Sequence, residues 1–304
     1  MGTYAIKDLE YLSGVKAHTI RIWEQRYNII TPKRTSTNIR NYDDADLRKL
    51  LNVSFLNRHG HKISKISKLS YQEIVELVDK ISINSSEFDT QIGSMILAMV
   101  NLDELRFNQI LGTHILEKGF ESASINIIFP FLERVGILWQ TGDINPAQEH
   151  FISGLIRQKL LAAIDLLPLK THQAIAKIIL FLPEGEWHEI GLLFAYYMFK
   201  KRGFRVLYLG QSLPMEDLKN TVRLFVPHVL VSSITTFPAA EKTVEYAANL
   251  VQSFPTCKIL LSGAQILYQK DKIIPYAIVL DNVHSLTQWM NQYAEEQRSG
   301  QKQN

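Results

Sequence analysis

From Ala176 onward, five short apolar runs recur between helical segments: Lys177–Leu182, Arg205–Leu209, His228–Ile234, Lys258–Leu261 and Ala277–Leu280. Runs this short and rich in Val, Ile and Leu have the length of strands, and the spacers between them are long enough for crossover helices. Strands joined through crossover helices pair in parallel, so residues 174–297 are committed to a doubly wound, flavodoxin-like α/β sheet. In such sheets the loops at the carboxyl ends of the strands form the ligand crevice.

The chain ahead of Ala176 has a different texture. Residues 74–168 read as a helical bundle, with apolar residues at helical spacing in Ile92, Ile96, Met99 and again in Ile152, Leu155, Ile156, Leu160, until Pro168 stops the run. Residues 1–73 form a mainly α module of short helices around a turn-rich stretch, Thr31–Asn41. The predicted fold is therefore multidomain, with divisions at 1–73, 74–168 and 174–297. Tyr71–Ile81 spans about three turns before Asn84-Ser85-Ser86 breaks it, and no heptad seam is sustained, so a coiled-coil dimer is not expected.

Charge follows the same division. Residues 1–70 carry 13 Lys/Arg against 6 Asp/Glu, whereas the remainder carries 20 against 24. A basic head on a slightly acidic body suggests a nucleic-acid module joined to something else. One cysteine, Cys257, excludes an internal disulfide framework and a cysteine zinc cage, and fits a reducing compartment. The first residues lack an apolar signal core, and the longest apolar runs, Leu192–Phe199 and Ile178–Leu182, are far shorter than the about 20 residues of a membrane span. A cytoplasmic protein without membrane contact is expected.

In the head, Ile6–Leu12 is a short helix, Ser13-Gly14-Val15 a turn with Gly14 placed for a left-handed conformation, and Lys16–Tyr27 the next helix. Ile20, Trp23 and Tyr27 face inward, which leaves Lys16, His18, Thr19 and Arg21 outward on the part of a recognition helix that reaches base edges, with Arg26 further along. Pro32-Lys33-Arg34 and Asn38-Ile39-Arg40-Asn41-Tyr42 flank a Thr/Ser-rich tip and read as a β-hairpin wing whose Arg34, Arg40 and Tyr42 contact DNA. Asp43 is placed to cap the following helix.

The succession Tyr4-Ala5-Ile6, Ser13-Gly14-Val15, Thr19-Ile20-Arg21-Ile22-Trp23-Glu24, Pro32-x-Arg34, Asn38-x-Arg40-x-Tyr42 and Leu56…Gly60 resembles the MerR family of transcriptional regulators. The resemblance implies a winged helix-turn-helix that binds a double-stranded DNA operator. Asn38 stands where the family usually has glycine; asparagine also tolerates positive φ.

Just after the first strand of the α/β region comes Glu186-Trp187-His188-Glu189-Ile190-Gly191. An imidazole there, with a carboxylate two residues before it, has the chemistry of a tuned metal ligand: one ring nitrogen faces the metal while Glu186 accepts the other N–H. On spacing alone the pattern is weak, and a lone loop histidine is usually just exposed. The pattern resembles the Asp/Glu-x-His-x-x-Gly signature of cobalamin-binding domains, which implies that His188 is the lower axial ligand of cobalt. The same resemblance assigns Ser232 and Ser233 at the end of the third strand, and Ser262-Gly263 after the fourth, to the wall along the nucleotide tail, with Gly191 leaving room at the helix start.

In the bundle, Trp139 and the pair Glu149-His150 flank a predicted hairpin in which Gly142 ends one helix and Asn145 caps the next. By spacing they are a core tryptophan and two surface polar residues. Trp139-x9-Glu149-His150 nevertheless resembles the cap of the adenosylcobalamin-dependent, MerR-type photoreceptors that repress carotenoid synthesis. That resemblance implies that Trp139 shields the upper face of the cobalt, that Glu149 and His150 contact the ligand, and that a homo-oligomer, dimer or tetramer, binds DNA in the dark. Gln140 follows Trp139 where members of that family place a histidine, and an amide is a poor cobalt ligand.

The expected function is a cobalamin-dependent, light-responsive transcriptional repressor, not an enzyme. Two alternatives stay open from the sequence. One is a regulator whose sensor domain has lost cobalamin and serves oligomerisation or a partner protein; the other is a methyl-carrying cobalamin module of an enzyme.

Overall fold

The computed structural model describes residues 3–34, 40–84, 88–140, 146–168, 174–238 and 240–301. The head begins with strand β1 (Thr3–Tyr4), helices Ile6–Ser13 and Ala17–Tyr27, and strands β2 (Lys33–Arg34) and β3 (Arg40–Asp43). These strands form a three-stranded antiparallel sheet in the order β1-β3-β2, which is the wing expected from the sequence. The wing tip, with Asn38, lies outside the described residues. Gly14 has φ +68° and ψ 7°, the left-handed conformation that ends the first helix without a Cβ penalty. Lys16 caps the second helix with no side-chain bond of its own. Glu10 substitutes, accepting the Ala17 N–H at 3.0 Å and pairing with Lys16 at 3.0 Å. Asp43 accepts the Ala45 and Asp46 N–H groups and starts helix Asp44–Arg58 as expected.

Helices Tyr71–Asn84, Phe88–Asn101, Glu104–Lys118 and Phe129–Gln140 form the bundle, with a π turn over Ser124–Ile128. The first of these runs three residues beyond Ile81. Phe88–Asn101 is buried on every side, from Thr90 to Val100, and so is the central helix. His59, at the end of helix Asp44–Arg58, donates from Nδ1 to Phe55 O (2.7 Å), and its Nε2 is hydrogen-bonded to Thr90 Oγ1 (2.8 Å), tying the head to that central helix.

His114 is 3 % exposed in the bundle and bonded to Ser122 Oγ at 3.3 Å. Burial lowers its pKa below the ordinary histidine value. A buried neutral imidazole favours the native state above pH 6.5 and loses that advantage as the unfolded chain takes up protons below it. Melting of the first unit should therefore fall between pH 7.5 and 5.5, and His114→Gln should flatten that slope.

The chain divides into two compact units, Met1–Leu155 and Ile156–Asn304, the division falling inside helix Pro146–Asp165. The second unit contains a parallel sheet of β4 (Lys177–Pro183), β5 (Arg205–Leu213), β6 (Val229–Ser233), β7 (Lys258–Ser262) and β8 (Ile278–Val279), ordered β5-β4-β6-β7-β8. This is the flavodoxin-like order, and the strands begin within a residue of the apolar runs. β4 is buried from Ile178 to Pro183 because both faces are covered. Ile179, Phe181, Leu230 and Leu261 share one core with Leu218, Ala247 and Leu250 of the crossover helices Met215–Phe225 and Ala240–Ser253. Helices Ile190–Lys201 and Val283–Gln301 pack together with Phe199 edge-on to Trp289, which stacks on Tyr293. Among the described residues no helix is long and apolar enough to cross a membrane.

Candidate functional site

In the head, Lys16, His18, Arg21 and Arg26 are exposed on helix Ala17–Tyr27, and Thr19 is half-buried with its hydroxyl 3.2 Å from His18 Nε2. Lys7, Glu10, Gly14 and Lys16 line a cleft of about 520 Å³ at the turn between the two helices. Arg34 is exposed on the wing.

The structure corrects one of the expected DNA contacts, that of Tyr42. Tyr42 is 1 % exposed, and its hydroxyl donates to Glu24 Oε2 at 3.1 Å. Burial, with Glu24 beside it, pushes the Tyr42 phenol up to about 12. Arg40 gives its Nε to the other oxygen of Glu24 at 3.2 Å and is largely covered. Tyr42 sits opposite Tyr4 in the β1–β3 register, so its ring points into the core and not toward a groove. Both side chains clamp the wing to the recognition helix through Glu24, a role that the sequence reading missed.

The second cluster lies at the carboxyl end of the parallel sheet. β4 continues to β5 on one side and the chain then crosses to β6 on the other, so the crevice between the loops after β4 and β6 is the topological switch point. Glu186 bridges these loops. It is wholly buried, and Oε1 accepts the N–H groups of Trp187 (2.9 Å) and His188 (3.0 Å) from its own loop. Oε2 accepts those of Thr235 (2.8 Å), Thr236 (2.7 Å) and Phe237 (3.1 Å) from the loop after β6. Burial alone would raise this carboxyl's pKa; the bonds from His188, Thr236 and Phe237 reverse that and hold it far below the usual carboxylate range.

His188 Nδ1 lies 2.6 Å from Glu186 Oε1 and 3.3 Å from Thr236 Oγ1, with its side chain 57 % exposed. An ionised Glu186 accepts the Nδ1 N–H, so in the neutral ring the proton sits on Nδ1 and not on Nε2. Among the described residues no group of three or more His, Cys, Asp or Glu could hold a metal ion.

Ser232 and Ser233 end β6, buried, and Ser233 pairs in register with Ser262 at the end of β7. Ser232 Oγ is buried without a hydrogen-bond partner. Gly263 has φ +100°, and a Cβ there would lie 2.7 Å from the Ile234 carbonyl carbon. Gly191 is exposed, and a Cβ on it would meet nothing within 4 Å.

In the first unit, Glu149 and His150 pair with each other at 3.0 Å near the start of helix Pro146–Asp165, and Glu149 also accepts from Ser153. Trp139 and Gln140 close helix Phe129–Gln140, but their side chains, like Gly142 and Asn145, lie outside the described residues.

The profile of the MerR HTH family regulatory protein matches residues 4–73, and that of a B12 binding domain matches residues 92–163, which is the helical bundle. The HTH-type transcriptional repressor CarH of Myxococcus xanthus is 31 % identical over 259 residues, covering 83 % of this chain and 86 % of that protein. The chain belongs to the MerR family, with CarH. A second such repressor of the same organism, CarA, is 25 % identical over 84 % of this MerR-family chain and 83 % of its own. A monomethylamine corrinoid protein of Methanosarcina barkeri overlaps 73 % of this chain and 98 % of its own at 16 % identity, with a TM-score of 0.38. That overlap is too loose to bear on the site. The protein is thus a MerR-type transcriptional regulator with a B12 binding domain.

Proposed function

We propose that the protein is a cobalamin-gated, light-responsive repressor that binds operator DNA as a homo-oligomer, with adenosylcobalamin as its ligand. The observation that carries this reading is the His188 ring, oriented by a fully buried carboxylate at the switch point of the sheet. The chain's residues fit such a ligand. Glu186 orients the His188 ring through Nδ1, Ser232 Oγ is an orphaned polar atom, and Gly191 keeps the helix start open. His188 would hold the metal, with Glu186 setting its basicity; Ser232, Ser233, Ser262 and Gly263 would line the nucleotide tail, and Trp139, Glu149 and His150 would also contact the ligand. Bound adenosylcobalamin supplies a cobalt that accepts an imidazole and a cobalt–carbon bond that light can break. Gating requires only that the ligand favour one arrangement or assembly state over another.

The test is an absorption spectrum of protein reconstituted with adenosylcobalamin in the dark and after green light, with a gel shift on the same samples. A spectrum of imidazole-ligated cobalt, a light-dependent change and a parallel loss of DNA binding are expected. His188→Ala should abolish the ligation and leave DNA binding insensitive to the cofactor. DNA binding indifferent to both cobalamin and light would instead select a sensor that has lost its cofactor, the reading that Gln140 favours.

Lys16, His18, Thr19, Arg21, Arg26 and Arg34 form the proposed DNA face. Arg21→Ala is expected to weaken specific binding by about 1–3 kcal/mol, whereas Arg34→Ala should weaken all sequences alike and lower the salt slope by about 1. Titrations of specific and random DNA at several salt concentrations measure both.

A further inference from the structure

His188 stands between two buried carboxylates, and only the first, Glu186, has a part in the reading above. The second is Glu189, 6 % exposed, whose Oε1 accepts from Arg157 Nε and whose Oε2 accepts from the Tyr208 hydroxyl at 2.7 Å. Tyr208 comes from β5 and stacks on Tyr196 of helix Ile190–Lys201, with centroids 5.4 Å apart and planes within 6°. Arg157 comes from helix Pro146–Asp165. Glu189 also begins helix Ile190–Lys201, its carbonyl accepting the Leu193 N–H at 2.8 Å. A second strut joins the same two helices, since Lys200 Nζ donates to Ile164 O at 2.8 Å. Helix Ile190–Lys201 is thus tied to Pro146–Asp165 near both of its ends, and one tie begins at the residue after His188.

Only the carboxylate of this pair is buried, Arg157 being 54 % exposed, and such a pair adds little stability over apolar packing because desolvation of Glu189 offsets the attraction. What it does add is one defined geometry. We infer that Glu189 and Arg157 are positioning residues: they hold the turn that carries His188 and make its order depend on helix Pro146–Asp165, the helix that bears Glu149 and His150. The role in ligand sensing rests on the cobalamin reading; the ordering of the turn does not.

Amide hydrogen exchange on the full-length protein without cofactor, read over the peptide 184–195, tests the ordering. Arg157→Met alone strands a buried carboxylate and can unfold the unit, so the informative variant is Arg157→Met with Glu189→Leu and Tyr208→Phe, which replaces the whole polar cluster by apolar groups. Its exchange over 184–195 is expected to rise by about tenfold or more, corresponding to about 1.4 kcal/mol of lost local protection, with unchanged melting of the second unit. With adenosylcobalamin added, the same variant should keep the cofactor but show a smaller imidazole-ligated fraction than the parent. Exchange that is unchanged, or that rises evenly through the whole unit, overturns the inference. Failure of the parent protein to bind cobalamin sinks the functional reading instead, while the exchange result still decides whether the pair orders the turn.

Discussion

Glu186→Leu is expected to cost the second unit about 3–5 kcal/mol of stability, the range for removing one partner from a buried charged network. The leucine fits the volume, but it leaves the Thr235, Thr236 and Phe237 N–H groups without their acceptor and unlatches the loop after β6 from the loop after β4. Since whole domains are stable by only about 5–15 kcal/mol, this is a large share. His188→Ala makes the contrast. Its side chain is over half exposed and every backbone bond to Glu186 survives, so its melting temperature should stay close to that of the parent. Glu186→Gln keeps the shape but loses the charge. It is expected to weaken cobalamin binding by about 10–100-fold through the ring it orients. Thermal melts paired with cofactor titrations separate the three variants, and a Glu186→Leu protein as stable as the parent would show that the carboxylate is not the clamp between the loops.

Gly263→Ala should be nearly as damaging, for a different reason. The backbone at φ +100° and ψ 165° is in a region essentially restricted to glycine. A Cβ would also lie 2.7 Å from the Ile234 carbonyl carbon and 2.8 Å from its nitrogen. Those are backbone atoms, which cannot rotate aside as a side chain can. Ile234 gives its N–H to Ser262 O at 2.8 Å and takes the Gln265 N–H at 3.1 Å, so the clash breaks the stitch between the ends of β6 and β7. Backbone strain of about 1–3 kcal/mol plus the loss of those bonds is expected, seen as a lower midpoint in denaturant with an unchanged slope. Gly191→Ala, with nothing within 4 Å of its Cβ, is the control and should leave stability nearly unaltered while crowding the proposed ligand side.

The order of elements was legible because it depends on local pattern. Apolar runs with parallel-strand character and helical spacers gave β4 to β8 in place, the left-handed Gly14 gave the turn, and Asp43 gave the helix start. The pairing of His188 with Glu186 was legible for the same reason, since two residues in one loop meet whatever the rest of the chain does. Family likeness added what spacing could not, the assignment of the bundle and the sheet to one ligand.

Three features were decided only by the tertiary structure. Tyr42, expected on DNA, turns inward to Glu24, because the register of β3 against β1 selects which face of the wing is inside. Three of the amides that Glu186 accepts come from residues about fifty positions later, brought near because β6 lies beside β4. Arg157 and Tyr208 reach Glu189 from thirty-two residues before and nineteen after. Sequence periodicity reports which side of an element is apolar; it carries no record of which distant polar group completes a buried charge, and that choice belongs to strand order and helix packing.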